Sequence, residues 1–359
     1  MKQKTYNSIP FVLCLALVSA FTAGYQELTS ASTPPQQLVQ APSSSPEQAQ
    51  ELSDLLLVKQ NGLYGYIAPT GKLVIEPQFD VASSFSEGLA VVVMNNKFGY
   101  VEPSGKMMVS PQYDWAYNFS EGRAEVGTGG KSGFIDQQGK MVISPQFDDA
   151  SRFSNGLAAV KINSQWGYID QTGQMAIAPQ FNKASRFSVS DRLPTDTALA
   201  AVMIDQQWGY IDQTGKMTIP PQFDEAGVFS NGLAVVKKGS QWGYINSTGK
   251  MVIPPQFDGA LSFNQDLAAV KKGSQWGYID STGKMAIPLQ FNDAGNFSDG
   301  LATVEIRGKF GYIDSTGKMA IPPQFDGAFE FSNGLAVVRI DEKFGYINKM
   351  GKFVWNPTS

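Results

Sequence analysis

Apolar and polar positions alternate along short segments of this chain, and the same segments return at a fixed spacing. In Trp166-Gly-Tyr-Ile169 the aromatic side chains fall on one face of an extended segment, as the two-residue strand period requires. The glycine of this segment occurs nine times, with seven of the eight intervals being 34 residues and one being 42. The recurring glycines are Gly65, Gly99, Gly133, Gly167, Gly209, Gly243, Gly277, Gly311 and Gly345, and tryptophan precedes four of them, at Trp166, Trp208, Trp242 and Trp276. The chain is therefore predicted to be a tandem β-repeat.

Each unit contains three predicted strands. The first is the Trp-Gly-Tyr-Ile segment, the second has the form of Gln174-Met-Ala-Ile177, and the third has the form of Leu157-Ala-Ala-Val160. Asp170-Gln-Thr-Gly173 joins the first two, and this combination of aspartate and glycine is typical of a tight hairpin turn. One position of the third strand varies between units, as Glu125, Ala159, Thr303 and Val337. Because the flanking positions stay apolar, this varying position is predicted to face solvent.

A Pro-Gln-aromatic sequence follows the second strand, as in Pro179-Gln-Phe181, and proline predicts that the strand ends or lies at an edge there. An alanine and then a phenylalanine come next in every complete unit. These phenylalanines are predicted to stack in one apolar column, and they are Phe85, Phe119, Phe153, Phe187, Phe229, Phe263, Phe297 and Phe331.

The flanking sequence predicts export. Residues 1–23 carry Lys2 and Lys4 ahead of an apolar run of 13 residues, which is typical of a signal peptide. An uncleaved membrane anchor and lipidation at Cys14 are the alternatives. Residues 24–54 are rich in proline, serine and glutamine and predict a flexible linker. Residues 55–356 form the repeat domain, in which about eight extra residues, near 188–197, predict a functional loop.

Composition narrows the chemistry. The formal charge is −4, or −6 once the two leader lysines are removed (−4 − 2 = −6), so no nucleic-acid partner is predicted. Histidine is absent and the single cysteine, Cys14, lies in the leader, which leaves the repeat domain without the usual nucleophiles and bases. Nearly every polar residue is one of many equivalents, whereas catalysis needs a unique constellation. We therefore predict that the protein is not an enzyme and binds no cofactor.

The repeated residues resemble the WG-repeat family of bacterial proteins, also called KWG repeats. The resemblance is fullest from Trp242 to Asp258, which reads Trp-Gly-Tyr-Ile-Asn-Ser-Thr-Gly-Lys-Met-Val-Ile-Pro-Pro-Gln-Phe-Asp, and it extends over nine units. Membership would imply a β-rich repeat with no catalytic activity or cofactor. The short aromatic hairpins are also similar, more weakly, to bacterial cell-wall-binding repeats.

Two architectures suit such an array. Units with three short strands bury their apolar faces only against neighbours, so we predict an all-β, open superhelical stack of nine units. The alternative is a closed β-propeller, whose blades usually have four strands. The chain enters and leaves in the middle of a unit, and propellers often close their ring by joining two such parts.

Few residues qualify as candidate sites. The aspartates after the aromatic and in the hairpin turns, such as Asp148 and Asp170, are interpreted as turn residues, and no metal site is predicted. The possible ligand-binding surface comprises residues outside the repeat pattern, in the long loop, or at matched strand ends: Trp115, Arg192, Pro194, Lys237 and Lys271. Trp115 in particular is predicted to face solvent.

The functional hypothesis is an exported, non-catalytic module that binds a protein partner in the periplasm, at the cell surface or after secretion. Binding of a cell-wall or envelope glycan is the alternative, supported by the aromatic content. A carboxylate-dependent hydrolase is a third hypothesis. Membrane contact is predicted only if the leader stays uncleaved.

Overall fold

The computed structural model describes residues 55–188 and 198–358, and every regular element in these two ranges is a β-strand. The strands form nine antiparallel sheets, the first with three strands and each of the others with four. Each sheet follows chain order, so every strand lies beside its neighbour in sequence. The all-β repeat is confirmed, while the predicted leader and linker lie outside the described residues.

The first four sheets span the part of the chain before the long loop. Sheet 1 comprises β1 (Leu56–Gln60), β2 (Leu63–Ile67) and β3 (Leu73–Phe79). Sheet 2 comprises β4 (Val81–Ala82), β5 (Ala90–Met94), β6 (Lys97–Val101) and β7 (Met107–Tyr113). Sheet 3 comprises β8 (Trp115–Ala116), β9 (Arg123–Thr128), β10 (Lys131–Asp136) and β11 (Met141–Phe147). Sheet 4 comprises β12 (Asp149–Ala150), β13 (Leu157–Ile162), β14 (Gln165–Asp170) and β15 (Met175–Phe181).

The remaining five sheets repeat this arrangement. Sheet 5 comprises β16 (Lys183–Ala184), β17 (Ala200–Ile204), β18 (Gln207–Ile211) and β19 (Met217–Phe223), and sheet 6 comprises β20 (Glu225–Ser230), β21 (Leu233–Lys238), β22 (Gln241–Asn246) and β23 (Met251–Phe257). Sheet 7 comprises β24 (Gly259–Ala260), β25 (Leu267–Lys272), β26 (Gln275–Asp280) and β27 (Met285–Phe291), and sheet 8 comprises β28 (Asp293–Ser298), β29 (Leu301–Ile306), β30 (Lys309–Asp314) and β31 (Met319–Phe325). Sheet 9 comprises β32 (Gly327–Ala328), β33 (Leu335–Ile340), β34 (Lys343–Asn348) and β35 (Phe353–Thr358).

The prediction of three strands per unit was wrong, because a leading strand precedes the other three in sheets 2 to 9. This strand has six residues in sheets 6 and 8 and two residues in the others. In sheet 4 this leading strand is β12, where Asp149 pairs with Lys161 and Ala150 with Val160. A strand of two residues is too short to show an alternating pattern in the sequence. The invariant alanine belongs to this strand.

The recurring glycine permits a β-bulge, and proline lies inside an edge strand, which is one of the two positions predicted for it. The pairing of β18 with β19 shifts register between Trp208 and Tyr210, on either side of Gly209. A Cβ on Gly209 would lie 2.5 Å from the Ile219 carbonyl oxygen and 2.7 Å from the Pro221 nitrogen. The bulge takes proline out of the hydrogen-bonded ladder, so the strand continues to Phe223.

Each sheet packs on both faces. One core cluster joins Tyr168 and Ile177 of sheet 4 to Val202 and Ile211 of sheet 5. Equivalent clusters join the other successive pairs from sheet 1 to sheet 9. The varying position of the third predicted strand is consequently buried at Glu125, Ala159 and Thr303 and half-buried at Val337. The prediction that it faces solvent was wrong, because a neighbouring sheet covers the face that the sequence left unassigned.

The conserved phenylalanines do not stack on one another. Each phenylalanine follows a leading strand or, in sheets 6 and 8, lies within it. It packs against an aromatic ring of the preceding sheet, with centroids 4.7 to 5.1 Å apart, as for Tyr168 and Phe187. The tyrosine hydroxyl also donates across the gap, for example from Tyr168 to the Ser185 carbonyl oxygen at 2.8 Å. The predicted column is instead a series of aromatic pairs that fasten successive sheets together.

The last sheet contacts the first and closes a ring. The Tyr346 hydroxyl of β34 donates to the Leu57 carbonyl oxygen of β1 at 2.8 Å. Gly71, in the hairpin turn of sheet 1, lies so close to β35 that a Cβ there would be 2.8 Å from the Val354 carbonyl oxygen. The open stack was therefore the wrong prediction, and the alternative, a closed β-propeller, is confirmed with nine blades, each sheet being the blade of the same number.

The ring closes between two separate sheets. Because each four-stranded sheet begins with its leading strand, the first strands of the chain and its last strands belong to two different sheets, β1–β3 and β32–β35. The two ends meet as neighbours and do not complete a shared sheet. The two partial units predicted at the chain ends therefore do not combine, because β1 belongs to blade 1 and β34 and β35 belong to blade 9.

Candidate functional site

A row of side chains crosses each blade at the end where its second and third strands join. This junction is a two-residue turn, for example Asn163 and Ser164, both with positive φ angles of 49° and 71°. In blade 6, Glu225 pairs with Lys237, Lys237 with Trp242, and Trp242 with Phe257. The tryptophans of the repeat signature therefore lie in this row.

Four consecutive blades, 4 to 7, carry tryptophan in the row, and we call this sector the Trp–Lys row. Its indole-bearing residues are Trp166, Trp208, Trp242 and Trp276, all half-buried. A lysine Nζ lies over three of the indole rings, at 6.0 Å for Lys161 and Trp166, 5.3 Å for Lys237 and Trp242, and 5.8 Å for Lys271 and Trp276. Each such cation–π contact contributes about 0.5–1 kcal/mol at an exposed site.

Two predicted site residues, Lys237 and Lys271, belong to the Trp–Lys row. They occupy corresponding positions on the adjacent blades 6 and 7. Lys237 also donates to Glu225 Oε1 at 2.7 Å, which holds its ammonium group near the ring of Trp242. Their neighbours Lys238 and Lys272 are exposed. The two lysines therefore lie at the same end of adjacent blades.

Trp115 lies in blade 3, outside the Trp–Lys row, and it is half-buried, so its prediction as a solvent-facing residue was wrong. It pairs with Gly127, which pairs in turn with Ser132 at the position where other blades carry an aromatic residue. The indole occupies the space where a Cβ of Gly127 would stand. In blade 7 the order is reversed, with Gly259 in the leading strand and Trp276 opposite. The side chain of Trp115, on the leading strand, thus fills the space that an aromatic residue at the position of Ser132 fills in other blades.

The exchange in blade 3 creates a polar pocket that the sequence analysis missed. The Glu125 carboxyl is buried and accepts hydrogen bonds from Ser132 Oγ at 2.7 Å and from Trp115 Nε1 at 3.4 Å. Burial raises the pKa of Glu125 to about 7, although both hydrogen bonds act in the opposite direction. The signal was present in the sequence, because three departures from the repeat, at Trp115, Gly127 and Ser132, fall in one unit.

The aspartate columns serve the turns, as predicted. Asp170 Oδ1 accepts from Thr172 Oγ1 at 2.6 Å and from the Thr172 and Gln174 amides at 2.9 and 3.0 Å. The hydrogen bond from the Thr172 hydroxyl is the main reason why the pKa of Asp170 lies below its ordinary value. Asp148 accepts from the Asn163 amide of its own blade and from Lys131 of the preceding one. Within residues 55–188 and 198–358, no three acidic side chains gather as metal ligands would.

Arg192 and Pro194 lie outside the described residues, but the two ends of their loop are placed. Ser188 and Leu199 form a bridge with two backbone hydrogen bonds of 3.0 Å. This bridge precedes β17, whereas the two-residue turn of blade 5 follows it. The loop therefore leaves the blade at the end opposite the Trp–Lys row.

Comparisons with known proteins agree with this architecture. Among solved structures, the eukaryotic initiation factor is similar with a TM-score of 0.62 and 11% identity, over 85% of this chain and 96% of that one. Saccharomyces cerevisiae Sqt1 has a TM-score of 0.44 and 10% identity, over 74% of this chain and 91% of its own. The dehydrogenase NirN, which acts on dihydro-heme d1, has a TM-score of 0.46 and 13% identity, over 79% and 76%. At 11% identity, the likeness to the eukaryotic initiation factor concerns the fold alone. No curated protein matches the chain.

The family comparison is more specific. The profile described as "WG containing repeat" matches eight consecutive segments, residues 64–98, 98–131, 133–166, 166–206, 208–242, 242–276, 276–310 and 310–344. These segments contain the bulge glycines and paired aromatics that build the blades. The chain therefore belongs to the WG-repeat family.

Proposed function

We propose that this protein is a non-catalytic scaffold that binds a protein partner through the Trp–Lys row. One observation supports the proposal most directly: half-buried tryptophans occupy the same position in four adjacent blades, at one end of the ring. Tryptophan is enriched among the residues that dominate the energy of protein interfaces. A repeated fold presents such residues at regular spacing on one rigid surface.

The lysines favour a protein over a glycan. Sugar rings stack on an open aromatic face, but lysine ammonium groups lie over the indoles of Trp166, Trp242 and Trp276. A protein partner contacts the apolar lysine stem and the indole edge together and accepts hydrogen bonds from the ammonium. Trp208 lies opposite Met203 instead of a lysine, and this one position keeps the glycan alternative open to test.

The absence of a catalytic role is part of the proposal. Burial gives Glu125 an unusual pKa, but its two side-chain partners are a serine and a tryptophan that complete the blade. Within the described ranges, the other acidic side chains with shifted pKa values serve turns or ion pairs between blades, with Glu330 as the exception.

Export is proposed on the sequence of residues 1–23. Among the described residues, no helix is long and apolar enough to cross a bilayer. Mass spectrometry of the protein purified from its native host tests this proposal. We expect a mature chain that begins near Phe21, and a chain that starts at Met1 would contradict it.

Partner binding is tested by crosslinking in the native envelope fraction. We expect Trp242→Ala with Trp276→Ala to lower recovery of the specific partner by at least about tenfold. The matched control is Phe98→Ala with Phe310→Ala, which truncates the equivalent row position in blades 2 and 8. Equal losses in both variants would indicate general destabilisation and contradict the proposal. Retention on purified peptidoglycan that depends on Trp208 would support the glycan alternative.

A further inference from the structure

Ion pairs join several successive blades beside the row of side chains that crosses each blade. In three gaps, a lysine at the start of the third strand donates to an aspartate of the next blade. The pairs are Lys97–Asp114 and Lys131–Asp148, both at 2.6 Å, and Lys309–Asp326 at 2.5 Å. Each lysine directly precedes the row residue of its strand, as Lys97 precedes Phe98. These three gaps show that the aspartate at this position binds an ammonium group.

Each of these aspartates uses its two carboxylate oxygens differently. Asp114 Oδ2 accepts the Gly129 amide of the two-residue turn at 2.9 Å, and Asp114 Oδ1 accepts Lys97. The same division occurs at Asp148 and Asp326. The turn amide therefore fixes the orientation of the carboxylate, and the other oxygen is left to bind the ammonium of the preceding blade.

The lysine is missing from the blades of the Trp–Lys row. Glutamine replaces it in all four of them. In two of the gaps the aspartate of the next blade remains, at Asp224 and Asp258, and its Oδ2 keeps the turn hydrogen bond, at 2.6 and 2.7 Å. Both residues are exposed, and no side chain in the described part of the chain donates to either Oδ1. Two carboxylates on the adjacent blades 6 and 7 are therefore oriented for an ammonium that the neighbouring blades do not supply.

The parts of the chain outside the described residues contain few basic groups. Residues 5–54 contain neither lysine nor arginine. Lys2 and Lys4 belong to the predicted leader, and Arg192 belongs to the loop whose two ends lie at the opposite end of blade 5 from the row. A lysine of another protein is therefore the group that fits these two carboxylates.

A lysine within the row does not exclude a second ammonium. In blade 4, the hydrogen bond from Lys131 and the charge of the row residue Lys161 both lower the pKa of Asp148. Lys237 and Lys271 hold the position of Lys161 in blades 6 and 7, and their ammonium groups lie over indole rings. Each of these two blades therefore has the row lysine and lacks the second ammonium that blade 4 receives from Lys131.

We propose that the protein partner of the Trp–Lys row places lysine side chains on Asp224 and Asp258, in the gaps before blades 6 and 7. This inference rests on the proposed function and specifies the chemistry of the partner. Two ammonium groups occupy adjacent gaps, and apolar atoms between them contact Trp242 of blade 6. The net charge of −4 on the chain favours association with a basic surface. The ion pairs then fix the register of a partner that the tryptophans bind.

A zero-length carbodiimide crosslink tests this chemistry directly, because the reagent joins a carboxylate to a lysine amine in contact with it. The full chain is treated in the native envelope fraction, and mass spectrometry identifies the linked residues. We expect links from Asp224 and Asp258 to lysines of the partner. The intrachain link between Lys97 and Asp114 reports that the reagent has acted. Intrachain links without a link from Asp224 or Asp258 to another protein would overturn the proposal.

Matched substitutions measure the contribution of the two carboxylates. Asp224→Asn with Asp258→Asn should lower recovery of the crosslinked partner at least about tenfold, because a partner lysine then lies in the interface without its counter-charge. The amide oxygen preserves the turn hydrogen bond, as Asn182 does in blade 5 at 3.1 Å. The control is Asp114→Asn with Asp326→Asn, the same change at carboxylates that lysines of the chain already occupy. We expect the control to bind the partner like the natural chain.

The outcomes separate this inference from the proposed function. Loss of the partner in Trp242→Ala with Trp276→Ala, but not in the Asp224 and Asp258 variant, would overturn the lysine sites and leave the Trp–Lys row as the binding surface. Equal losses in the asparagine variant and its control would also overturn the sites. Unchanged recovery in both the tryptophan and the asparagine variants would contradict the proposed function as well.

Discussion

At the scale of single residues, the structure distinguishes positions that the repeat makes look alike. Glu125 occupies a site filled by alanine in blades 4, 5 and 7, and burial there couples its protonation to folding. Gly209 and Gly239 are both repeat glycines, but a Cβ on the first would contact backbone and a Cβ on the second would meet nothing within 4 Å. These contrasts support two predictions.

The first prediction concerns pH. The folded-state pKa of Glu125, about 7, lies above its ordinary value of 4.5, so the folded state binds the proton more tightly. Stability from this group is full below the ordinary pKa and is lost as pH rises toward and through 7, by at most about 3 kcal/mol. We expect Glu125→Gln to flatten the fall in unfolding free energy between pH 5 and 8. Urea unfolding measures this, with Glu305→Gln on β29 as the matched control, and an unchanged pH slope would contradict the prediction.

The second prediction concerns the bulge. Gly209→Ala should destabilise the protein by about 2–4 kcal/mol, because the added methyl group meets the backbone of Ile219 and Pro221, which cannot move aside. Gly239→Asn is the control, since Asn163 adopts a positive φ at the equivalent turn position of blade 4. Thermal unfolding should separate the two variants. Similar melting temperatures would show that the bulge tolerates a side chain.

At the scale of a single blade, residues compensate for one another along the row. Blade 3 carries its large side chain in the leading strand and a small one in β10, whereas blade 7 has the reverse arrangement. In either arrangement, one large side chain fills the space available in the row. Two large residues would overfill it and two small ones would leave a cavity.

This compensation predicts strong coupling. In a Glu125→Ala background, Trp115→Gly and Ser132→Trp should each lower the free energy of unfolding. The variant with both substitutions should regain most of the stability that each single substitution loses. The interaction free energy should be about 1–3 kcal/mol, as for residues that share one packed space. A double-mutant cycle from urea unfolding measures it. Additive effects would mean that the two side chains occupy separate spaces.

At the scale of the whole molecule, each blade has two neighbours because the ring is closed. Closure uses kinds of contact that also occur in other gaps, with a tyrosine hydroxyl at Tyr346 and a hairpin glycine at Gly71. It requires no strand exchange between the chain ends.

Solution shape tests the ring. Small-angle X-ray scattering on residues 51–359 should give a compact, disc-like particle, because contact between blade 9 and blade 1 closes the array into a ring. An elongated particle would contradict closure.

Local chemistry explains what could be predicted from the sequence. The alternation in Trp166-Gly-Tyr-Ile169, the turn residues Asp170 and Gly173 and the 34-residue period predicted strands, hairpins and a repeat, because each depends on neighbours in the chain. The same local signals assigned the aspartates to turns. Two candidate lysines, Lys237 and Lys271, were found for the same reason, since they recur at matched positions.

Only the tertiary structure decided the rest. Closure into nine blades depends on the angle between packed sheets, which the side chains in the gaps determine and no single unit encodes. Burial of both faces, and with it the setting of Glu125, follows from that stacking. The role of Trp115 depends on Gly127 and Ser132, which are its neighbours across the sheet rather than along the chain.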